Sequence, residues 1–387
     1  MEYLPLQMPE KGSTVVVGMS GGVDSTLTAY ILKQKGCKVI GVTMALWDGH
    51  IKEVEKEKAF HDSCYGPGEK EDIEECRHFC KEQNIEYHVI DVSEEYNREV
   101  LDYFKREYRE GKTPNPCVRC NSFIKFGALL EGLKKIDIKY DYFCTGHYAR
   151  VVRPVNPLYN SEVRPCMIEV AVDSSKDQSY FLYRLNSELL EKVRFPLASL
   201  KKSEVFALAK EAGLKAAERK ESQDFIDKEY FDQLFEDKPP VPGNFVDENG
   251  NVLGQHKGIE FYTIGQRKGL GVSGEKPLYV KEIDAKNNCI VLAEKEHILA
   301  SALIAGDFVW PGNICPDKPF EAFVKIRLKS KSSLALVEET SEKGKWKITF
   351  YEKQNAITPG QSVVIYKNNV IMGGGIIEKS FEVGKTV

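Results

Sequence analysis

The sequence predicts an α/β protein. It has a parallel β-sheet with helices on both faces in its N-terminal part, then a small central domain and a C-terminal β-barrel. Two observations predict this architecture. Strand-like β-branched runs alternate with helical stretches between residues 13 and 148, which is typical of parallel sheets. After the proline-rich break at residues 239–243 (PPVPG), short strand patterns separated by Asn-Gly turns replace this alternation and favour an all-β region.

The sheet is predicted element by element along the chain. Residues 14–19 (TVVVGM) form the first β-branched run, and residues 26–32 follow with helical spacing that ends near Gly36. Further strands are predicted at residues 38–44, 86–92 and 140–145, with helices at residues 71–84 and 200–213. The charged, irregular residues 48–68 predict an excursion from the sheet.

Composition limits the classes of protein that fit. A chain of 387 residues is long enough for two or three domains. The net charge of −4 gives no global basic field, so any contact with RNA must be local. No apolar run approaches a membrane span and the N-terminus lacks a signal-peptide pattern, so we expect a cytoplasmic protein that does not bind membranes. We therefore expect its ten cysteines to be reduced, metal-bound or catalytic.

Residues 20–25 (SGGVDS) form a turn between the first strand and the first helix. Such a turn directs backbone N–H groups and a helix N-terminus at one point, which suits a phosphate. The residue pattern fits neither a Walker loop nor a dinucleotide-binding fingerprint. It resembles the pyrophosphatase loop of ATP enzymes that adenylate a carbonyl oxygen. The acid Asp24 then suggests either a metal ion or a helix cap, and a capped loop without function is the simpler alternative.

Residues 113–127 (TPNPCVRCNSFIKFG) contain a Cys-x-x-Cys pair, Cys117 and Cys120. Such a pair serves as a redox pair, as half of a metal site or as part of an iron–sulfur site. Cys76 and Cys80, spaced one helical turn apart, could complete a zinc site. Lys125 could lower a thiol pKa or bind a phosphate, or it is one solvated lysine among many.

Two polar stretches are candidates for RNA contacts. Residues 176–178 (KDQ) precede a predicted aromatic-rich helix and either begin that helix or offer hydrogen bonds to a base edge. Residues 322–333 (AFVKIRLKSKSS) alternate strictly, which predicts one strand face that carries Lys325, Arg327, Lys329 and Lys331. Such a face either binds a phosphate backbone or is the solvated face of a barrel.

Several stretches together resemble the tRNA-specific 2-thiouridylase (MnmA) family, in family order and along nearly the whole chain. They are residues 18–25, 115–116 with 120–121 and 124–126, 145–150, 176–182, 221–223 with 225–226, 265–271, 358–361 and 373–375. The resemblance implies a PP-loop domain of the adenine nucleotide alpha hydrolase-like fold at residues 1–215. It implies a central tRNA-contacting domain at residues 216–280 and a β-barrel domain at residues 281–387.

The resemblance also implies a reaction, ligands and site residues. ATP would adenylate O2 of wobble uridine 34 in tRNA, and sulfur transfer to C2 would give 2-thiouridine. ATP with Mg²⁺ would bind Gly18, Met19, Ser20, Gly21, Gly22, Val23, Asp24, Ser25, Met44 and Gly146. The tRNA and its target base would contact Asn115, Pro116, Cys117, Lys125, His147, Lys176, Asp177, Gln178, Arg327, Leu328 and Gln361. The partners would be the anticodon stem-loops of lysine, glutamate and glutamine tRNAs and a sulfur donor protein or sulfide.

One departure from the family concerns the sulfur carrier. Cys120 matches the nucleophile, but Asp224 stands where better-known members have the persulfide cysteine, and Cys117 stands where they often have Asp. Because the set of two thiols and one carboxylate is kept, we predict that Cys117, Cys120 and Asp224 form one catalytic site that holds a [4Fe-4S] cluster. In the alternative, Cys117 and Cys120 alternate between persulfide and disulfide.

Two other functions stay open at this point. An ATP-dependent enzyme of amide or guanidine synthesis shares the loop but needs neither Cys120 nor a cationic barrel. A tRNA-binding paralogue with altered or lost thiolation activity is conceivable because the second family cysteine is missing. The intact residues 20–25 and Cys120 favour the thiouridylase.

Overall fold

The computed structural model describes residues 2–52, 63–159, 161–219, 225–226 and 228–383 of the chain. Contacts between Cα atoms divide the chain into two compact units. The first unit comprises residues 1–100, 117–234 and 368–371, and the second comprises residues 101–116, 235–367 and 372–387. In the described part of the chain, no helix has both the length and the hydropathy needed to cross a membrane.

The first unit contains a five-stranded parallel sheet and three antiparallel strands. Its strands are β1 (Tyr3–Pro5), β2 (Thr14–Gly18), β3 (Lys38–Ala45), β4 (Glu86–Asp91), β5 (Tyr142–Thr145), β6 (Ala149–Pro154), β7 (Met167–Val170) and β8 (Val193–Arg194). The parallel sheet has the strand order β4-β3-β2-β5-β8. Strand β6 pairs antiparallel with both β1 and β7. The predicted parallel sheet is therefore confirmed.

Helical segments accompany this sheet. The α-helices of the first unit are Val23–Gln34, Glu69–Glu82, Ser93–Tyr96, Leu129–Lys135, Ser187–Leu190, Lys202–Glu211 and Lys228–Phe231. A π-type helix spans Cys120–Ala128, and 3₁₀ turns span Ser179–Leu182 and Lys215–Glu218. Three further helical segments run from one unit into the other along the chain: Asn97–Leu101, Pro116–Arg119 and Asp232–Phe235. The predicted aromatic-rich helix after residue 178 is wrong, because the chain makes only the short 3₁₀ turn there.

The core of the first unit explains why the strand runs are so apolar. Val15, Val16 and Val17 are fully buried, as expected for a parallel strand covered on both faces. The helices Val23–Gln34 and Glu69–Glu82 bury residues in one apolar cluster with β2. Of the predicted excursion at residues 48–68, residues 53–62 lie outside the described residues.

The second unit consists mainly of strands. It contains the helix Asp102–Arg109 and the strands β9 (Gly243–Val246), β10 (Val252–His256), β11 (Tyr279–Asp284), β12 (Cys289–Ala293), β13 (Leu299–Val309), β14 (Phe320–Lys325), β15 (Ser333–Glu339), β16 (Trp346–Asn355), β17 (Ser362–Lys367) and β18 (Val370–Phe381). It also contains 3₁₀ turns at Ile259–Phe261, Lys295–Ile298 and Pro311–Asn313. A four-stranded sheet has the order β10-β9-β12-β11. The last six strands close a barrel in the order β18-β13-β16-β15-β14-β17, because β17 also pairs with β18. The predicted C-terminal barrel is therefore confirmed.

The structure corrects the predicted cationic strand at residues 322–333. Strand β14 ends at Lys325, and the chain turns back so that Ser333 in β15 pairs with Val324. The Ser330 hydroxyl donates to the carbonyl of Arg327 at 2.8 Å and closes this turn. The prediction that Lys325, Arg327, Lys329 and Lys331 share one strand face is therefore wrong, since three of the four lie in the turn.

Candidate active site

The turn after β2 lies at the carboxyl edge of the parallel sheet, where such sheets bind ligands. The Ser20 N–H donates to Ser25 Oγ at 3.2 Å, and Ser25 Oγ donates to the Gly22 carbonyl at 3.1 Å. Gly21 has a φ of +75°, in the left-handed region that favours glycine. Gly22 caps the helix Val23–Gln34 without a side chain, which leaves the N–H groups of the first helical turn for an anionic ligand.

The other predicted ATP-binding residues lie at the same edge. Met44 is near the end of β3, and Gly146 directly follows β5, and both of these strands pair with β2. A Cβ atom on Gly146 would lie 2.7 Å from the carbonyl carbon of Asp24 and 2.9 Å from the backbone nitrogen of Ser25. Glycine at position 146 therefore allows the loop after β5 to approach the loop after β2.

Asp24 has two partners that the sequence does not predict. Lys202 Nζ lies 2.7 and 2.8 Å from the two carboxylate oxygens, and the Tyr148 hydroxyl donates to Oδ1 at 2.8 Å. Only 10% of the Lys202 side chain is exposed, against 29% of Asp24. In this structure Asp24 is thus part of an ion pair at the edge of the loop and does not act as the helix cap.

A second cation that the sequence analysis missed lies against the loop. Arg219 Nη2 pairs with Asp72 Oδ1 at 2.7 Å. A Cβ on Gly21 would lie 3.1 Å from Arg219 Nη1 and 3.3 Å from Asp72 Oδ1. A guanidinium this close to a phosphate-type turn adds positive potential where an anion would bind.

Cys117 and Cys120 lie three positions apart in a continuous helical segment, and both are half-buried. Two side chains bond back to carbonyls four residues earlier: Asn121 Nδ2 donates to the Cys117 carbonyl at 2.9 Å, and Ser122 Oγ donates to the Val118 carbonyl at 2.8 Å. Burial raises the pKa of the Cys120 thiol to about 11, Lys125 opposes this increase and Cys64 adds to it. Cys120 is therefore a protonated thiol near neutral pH in the unliganded protein.

Cys64 is a third thiol in this region, and the sequence analysis did not select it. The next residue, Tyr65, is buried, and its ring stacks on the ring of Tyr96 with 5.1 Å between centroids. The pKa of Tyr96 lies well above its usual range, first because of burial and then because of the thiols of Cys120, Cys64 and Cys117. The three thiols are thus neighbours of one buried tyrosine.

The structure argues against the zinc alternative. Cys76 and Cys80 lie in the apolar cluster with Val15 and Val17, and burial raises their thiol pKa values to about 11 and about 12. Among the residues that the structure describes, no three His, Cys, Asp or Glu side chains are arranged to hold a metal ion. Zinc held by Cys76, Cys80, Cys117 and Cys120 is therefore wrong. Asp224 lies outside the described residues, so its predicted place beside Cys117 and Cys120 stays a prediction.

His147 connects the loop after β5 with the cysteine segment. Its ring lies 6.0 Å from the ring of Phe126, which belongs to the helix Cys120–Ala128, and its Nδ1 is 2.7 Å from Thr145 Oγ1. Burial, together with Lys125, holds the pKa of His147 well below its usual range. The imidazole is therefore neutral, and it is only 8% exposed.

The predicted base-reading residues after β7 make contacts within the first unit. Gln178 and Tyr148 exchange two bonds: the Gln178 N–H donates to the Tyr148 carbonyl at 2.8 Å, and Gln178 Oε1 accepts from the Tyr148 N–H at 2.9 Å. The buried Asp177 accepts from the Ala171 N–H at 3.1 Å and from the Ser179 hydroxyl at 2.8 Å. Lys176 is exposed. These contacts fasten the loop after β7 to Tyr148, at the end of the loop between β5 and β6.

In the second unit, the other predicted tRNA-contacting residues lie in or near the loop between β16 and β17. Gln361 Nε2 donates to the carbonyls of Thr113 and Pro114 at 2.9 and 3.1 Å. Arg327 donates to Thr358 Oγ1 at 2.8 Å and to the Ala356 carbonyl. Leu328 follows Arg327 in the turn, and Asn115 and Pro116 follow Pro114. The structure therefore brings Gln361 close to the residues predicted to line the target base.

Comparisons with known proteins identify what this chain resembles. Three family models match consecutive parts: the tRNA methyl transferase HUP domain at residues 13–228, the tRNA methyl transferase PRC-barrel domain at residues 228–294 and the aminomethyltransferase beta-barrel domain at residues 300–377. The chain is 43% identical over 365 residues to the tRNA-specific 2-thiouridylase MnmA of Endomicrobium trichonymphae, covering 94% of this chain and 98% of that protein. It is 42% identical over 372 residues to the MnmA of Carboxydothermus hydrogenoformans, covering 94% of this chain and 97% of that protein.

Proposed function

Because this chain belongs to the family of tRNA-specific 2-thiouridylases, we propose that it converts wobble uridine 34 of tRNA to 2-thiouridine in an ATP-dependent reaction. ATP adenylates O2 of the uridine with release of pyrophosphate, and sulfur then displaces AMP at C2. One observation carries this proposal. A turn of the type that suits a phosphate and a half-buried pair of thiols occur in one compact unit, and contacts of Gly146, His147 and Phe126 lie between them.

The loop residues have distinct roles in this proposal. The N–H groups at the start of the helix Val23–Gln34 bind the phosphates of ATP, and Gly18, Met44 and Gly146 border the nucleotide. Asp24 would hold Mg²⁺ when ATP is bound. Its ion pair with Lys202 keeps the carboxylate oriented toward the loop beforehand. Lys202 and Arg219 then offset the negative charge of the phosphates.

The protein residues proposed to contact tRNA fall into two groups. Lys125, His147 and Gln178 of the first unit border the flipped target base near Cys120, since chemistry at C2 requires an unstacked base, and Asn115 and Pro116 of the second unit contact tRNA. Arg327, Leu328 and Gln361 position the anticodon stem-loop in the second unit. Lys176 and Asp177 complete the set, Lys176 as a phosphate contact and Asp177 by supporting the loop through its hydrogen bond to Ser179. We propose lysine, glutamate and glutamine tRNAs as acceptors.

The sulfur carrier is either a cluster or a persulfide. Cys117 and Cys120, separated by one helical turn, offer two thiolate ligands to a [4Fe-4S] cluster. The described residues supply no third ligand, so the cluster depends on Asp224. When bound, a cluster held by Cys117, Cys120 and Asp224 would present sulfide for attack on C2. In the persulfide route, Cys120 carries a sulfane sulfur transferred from a persulfide on a donor protein, whereas sulfide serves as the sulfur source of the cluster route.

The proposed function is tested by incubating the purified protein with ATP, Mg²⁺, unmodified tRNA and sulfide or a persulfide donor. We expect AMP, pyrophosphate and 2-thiouridine, the last detected by mass spectrometry of tRNA nucleosides. Cys120→Ala should abolish thiolation while pyrophosphate release continues. Release of ADP and phosphate would refute the adenylation step. Tight tRNA binding by the wild type without any 2-thiouridine would support a paralogue that has lost activity.

Anaerobic purification of the wild type and of Asp224→Ala tests the cluster. The cluster proposal predicts iron and acid-labile sulfide in the wild type and the loss of both, with loss of thiolation, in the variant. An iron-free wild type that thiolates tRNA would refute it.

A further inference from the structure

The persulfide route needs two thiols. The first delivers sulfur to the base and the second releases the product, because a carboxylate such as Asp224 cannot accept a sulfur bond in a disulfide. Resting on the proposed function, we infer that Cys64 is the second thiol: it resolves the disulfide between Cys120 and the thiolated base. The chain thereby keeps a two-cysteine relay although the family's second cysteine is absent.

Three contacts connect the residue after Cys64 with the helical segment that contains Cys120. Tyr65, which follows Cys64, stacks on Tyr96 with 5.1 Å between ring centroids. The helix Ser93–Tyr96 in turn packs against the helix Cys120–Ala128. The ion pair between Arg119 Nη2 and Glu99 Oε2, at 2.8 Å, joins the helical segment that directly follows the first of these helices to the one that directly precedes the second.

Phe225 also approaches this loop. The ring of Phe225, the residue after Asp224, lies 6.4 Å from the ring of Tyr65. The residue after Cys64 therefore packs near the residue that follows, in the sequence, the position where the resemblance places the family's second cysteine. Its thiol is also close enough to Cys120 for the two to interact electrostatically.

Exposure and backbone geometry favour Cys64 over Cys117 as the second thiol. Cys64 is exposed, whereas Cys117 and Cys120 are half-buried. A disulfide that includes Cys64 therefore presents one sulfur atom to an external reductant. Cys64 lies in an irregular turn beside Gly66, whose φ is +141°, while Cys117 is held in the same helical segment as Cys120. The Cys64 sulfur can consequently approach Cys120 without unwinding a helix.

The proposed steps balance in atoms and electrons. The terminal sulfur of the Cys120 persulfide attacks C2, and AMP leaves with the former O2 oxygen, so that C2 is joined to Cys120 through two sulfur atoms. The Cys64 thiolate then attacks Sγ of Cys120 and forms the Cys64–Cys120 disulfide. The electron pair of the broken S–S bond stays on the sulfur at C2, and the proton lost from Cys64 restores the one lost from N3. A dithiol reductant afterwards returns both cysteines to thiols.

The test is a single turnover without reductant, with enzyme first loaded with polysulfide and then freed of excess reagent. After alkylation of the remaining thiols, peptide mapping of the wild type should find a Cys64–Cys120 disulfide. Cys64→Ser should consume ATP normally but accumulate tRNA joined to Cys120 as a slow band on non-reducing gels. Dithiothreitol should release 2-thiouridine from that band.

Cys315→Ser, which replaces an exposed thiol of the second unit, is the matched control and should behave as the wild type. A Cys117–Cys120 disulfide after turnover would overturn the assignment, as would unchanged product release by Cys64→Ser without reductant. An iron-containing enzyme whose activity does not depend on Cys64 would also overturn it. A wild type that forms neither AMP nor 2-thiouridine would instead refute the proposed function itself.

Discussion

At the scale of single residues, Asp24 is the group whose role depends most on distant parts of the chain. Its partner Lys202 is 178 residues away, and the Tyr148 hydroxyl comes from the strand region after β5. Lys202 also lies 4.9 Å from the ring centroid of Phe206, so that its ammonium is held between a carboxylate and an aromatic ring. A cation this well shielded from water orients the carboxylate before any ligand arrives.

We predict that Lys202→Met lowers the free energy of unfolding by roughly 2 kcal/mol, because it leaves Asp24 beside apolar groups without its cation. The exposure of Asp24, 29%, keeps this loss below that of a fully buried pair. Urea unfolding of both single variants and of Asp24→Asn/Lys202→Met measures the coupling. The neighbouring, exposed Lys201→Met is the control. Strictly additive effects in the double variant would show that the pair contributes no coupling.

Gly146→Ala gives a second residue-scale prediction. The added Cβ would lie 2.7 Å from the carbonyl carbon of Asp24 and 2.9 Å from the nitrogen of Ser25, which are backbone atoms of the loop. We expect a stability loss of about 1–3 kcal/mol, typical of overpacking, and weaker ATP binding because residues 20–25 must shift. Thermal unfolding and calorimetric titration with ATP measure the two effects. An ATP affinity equal to that of the wild type would contradict the proposed nucleotide site.

At the scale of elements, the sequence predicts well where one physical signal dominates. The runs at β2 and β3 are rich in β-branched residues because both faces of the parallel sheet are buried there, so their places are visible in the sequence. The prediction fails at residues 322–333, where alternation continues through a turn that Ser330 closes. Periodicity alone does not mark where a hairpin reverses.

The candidate site was predictable only in part for a similar reason. Residues 20–25 and the Cys117–Cys120 pair are recognisable because each lies within one short, specific stretch. Cys64, Lys202 and Arg219 join the site through tertiary contacts, such as the stacking of Tyr65 on Tyr96, that no local spacing encodes.

The corrected turn changes which cations should bind phosphates. Arg327 donates hydrogen bonds to Thr358 Oγ1 and to the Ala356 carbonyl, whereas Lys329 and Lys331 are exposed in the turn. We predict that Lys329→Gln and Lys331→Gln each flatten the slope of log affinity for tRNA against log salt concentration by about one unit. Binding titrations at several salt concentrations measure this slope. Lys134→Gln and Lys139→Gln, on exposed sites of the first unit, are matched controls. Unchanged slopes in the turn variants would mean that this face is merely solvated.

At the scale of the whole molecule, several ionisable groups are buried in their neutral forms. Burial raises the thiol pKa values of Cys76, Cys80 and Cys120 to about 11, about 12 and about 11. Burial likewise holds the pKa of His147 well below its usual 6.5. In each case the unfolded chain ionises at a pH where the folded chain does not. The free energy of unfolding therefore decreases on both the acid and the alkaline side of the neutral range.

We therefore predict a plateau of stability between about pH 6.5 and 9, with a decline on either side. Below the plateau the unfolded chain binds a proton on His147 and the folded chain does not, so the free energy of unfolding falls as pH decreases. Above it the unfolded chain loses thiol protons that the folded chain keeps, so stability falls as pH increases. Each such group contributes a slope of about 1.4 kcal/mol per pH unit.

Urea unfolding across a pH series tests this prediction through two variants. His147→Gln should flatten the acid side alone, because it removes the group that only the unfolded chain protonates there. Cys80→Ala should flatten the alkaline side alone, although the lost packing lowers stability at every pH. An acid side that keeps its slope in His147→Gln would mean that other groups, and not this buried imidazole, set the lower limit of stability.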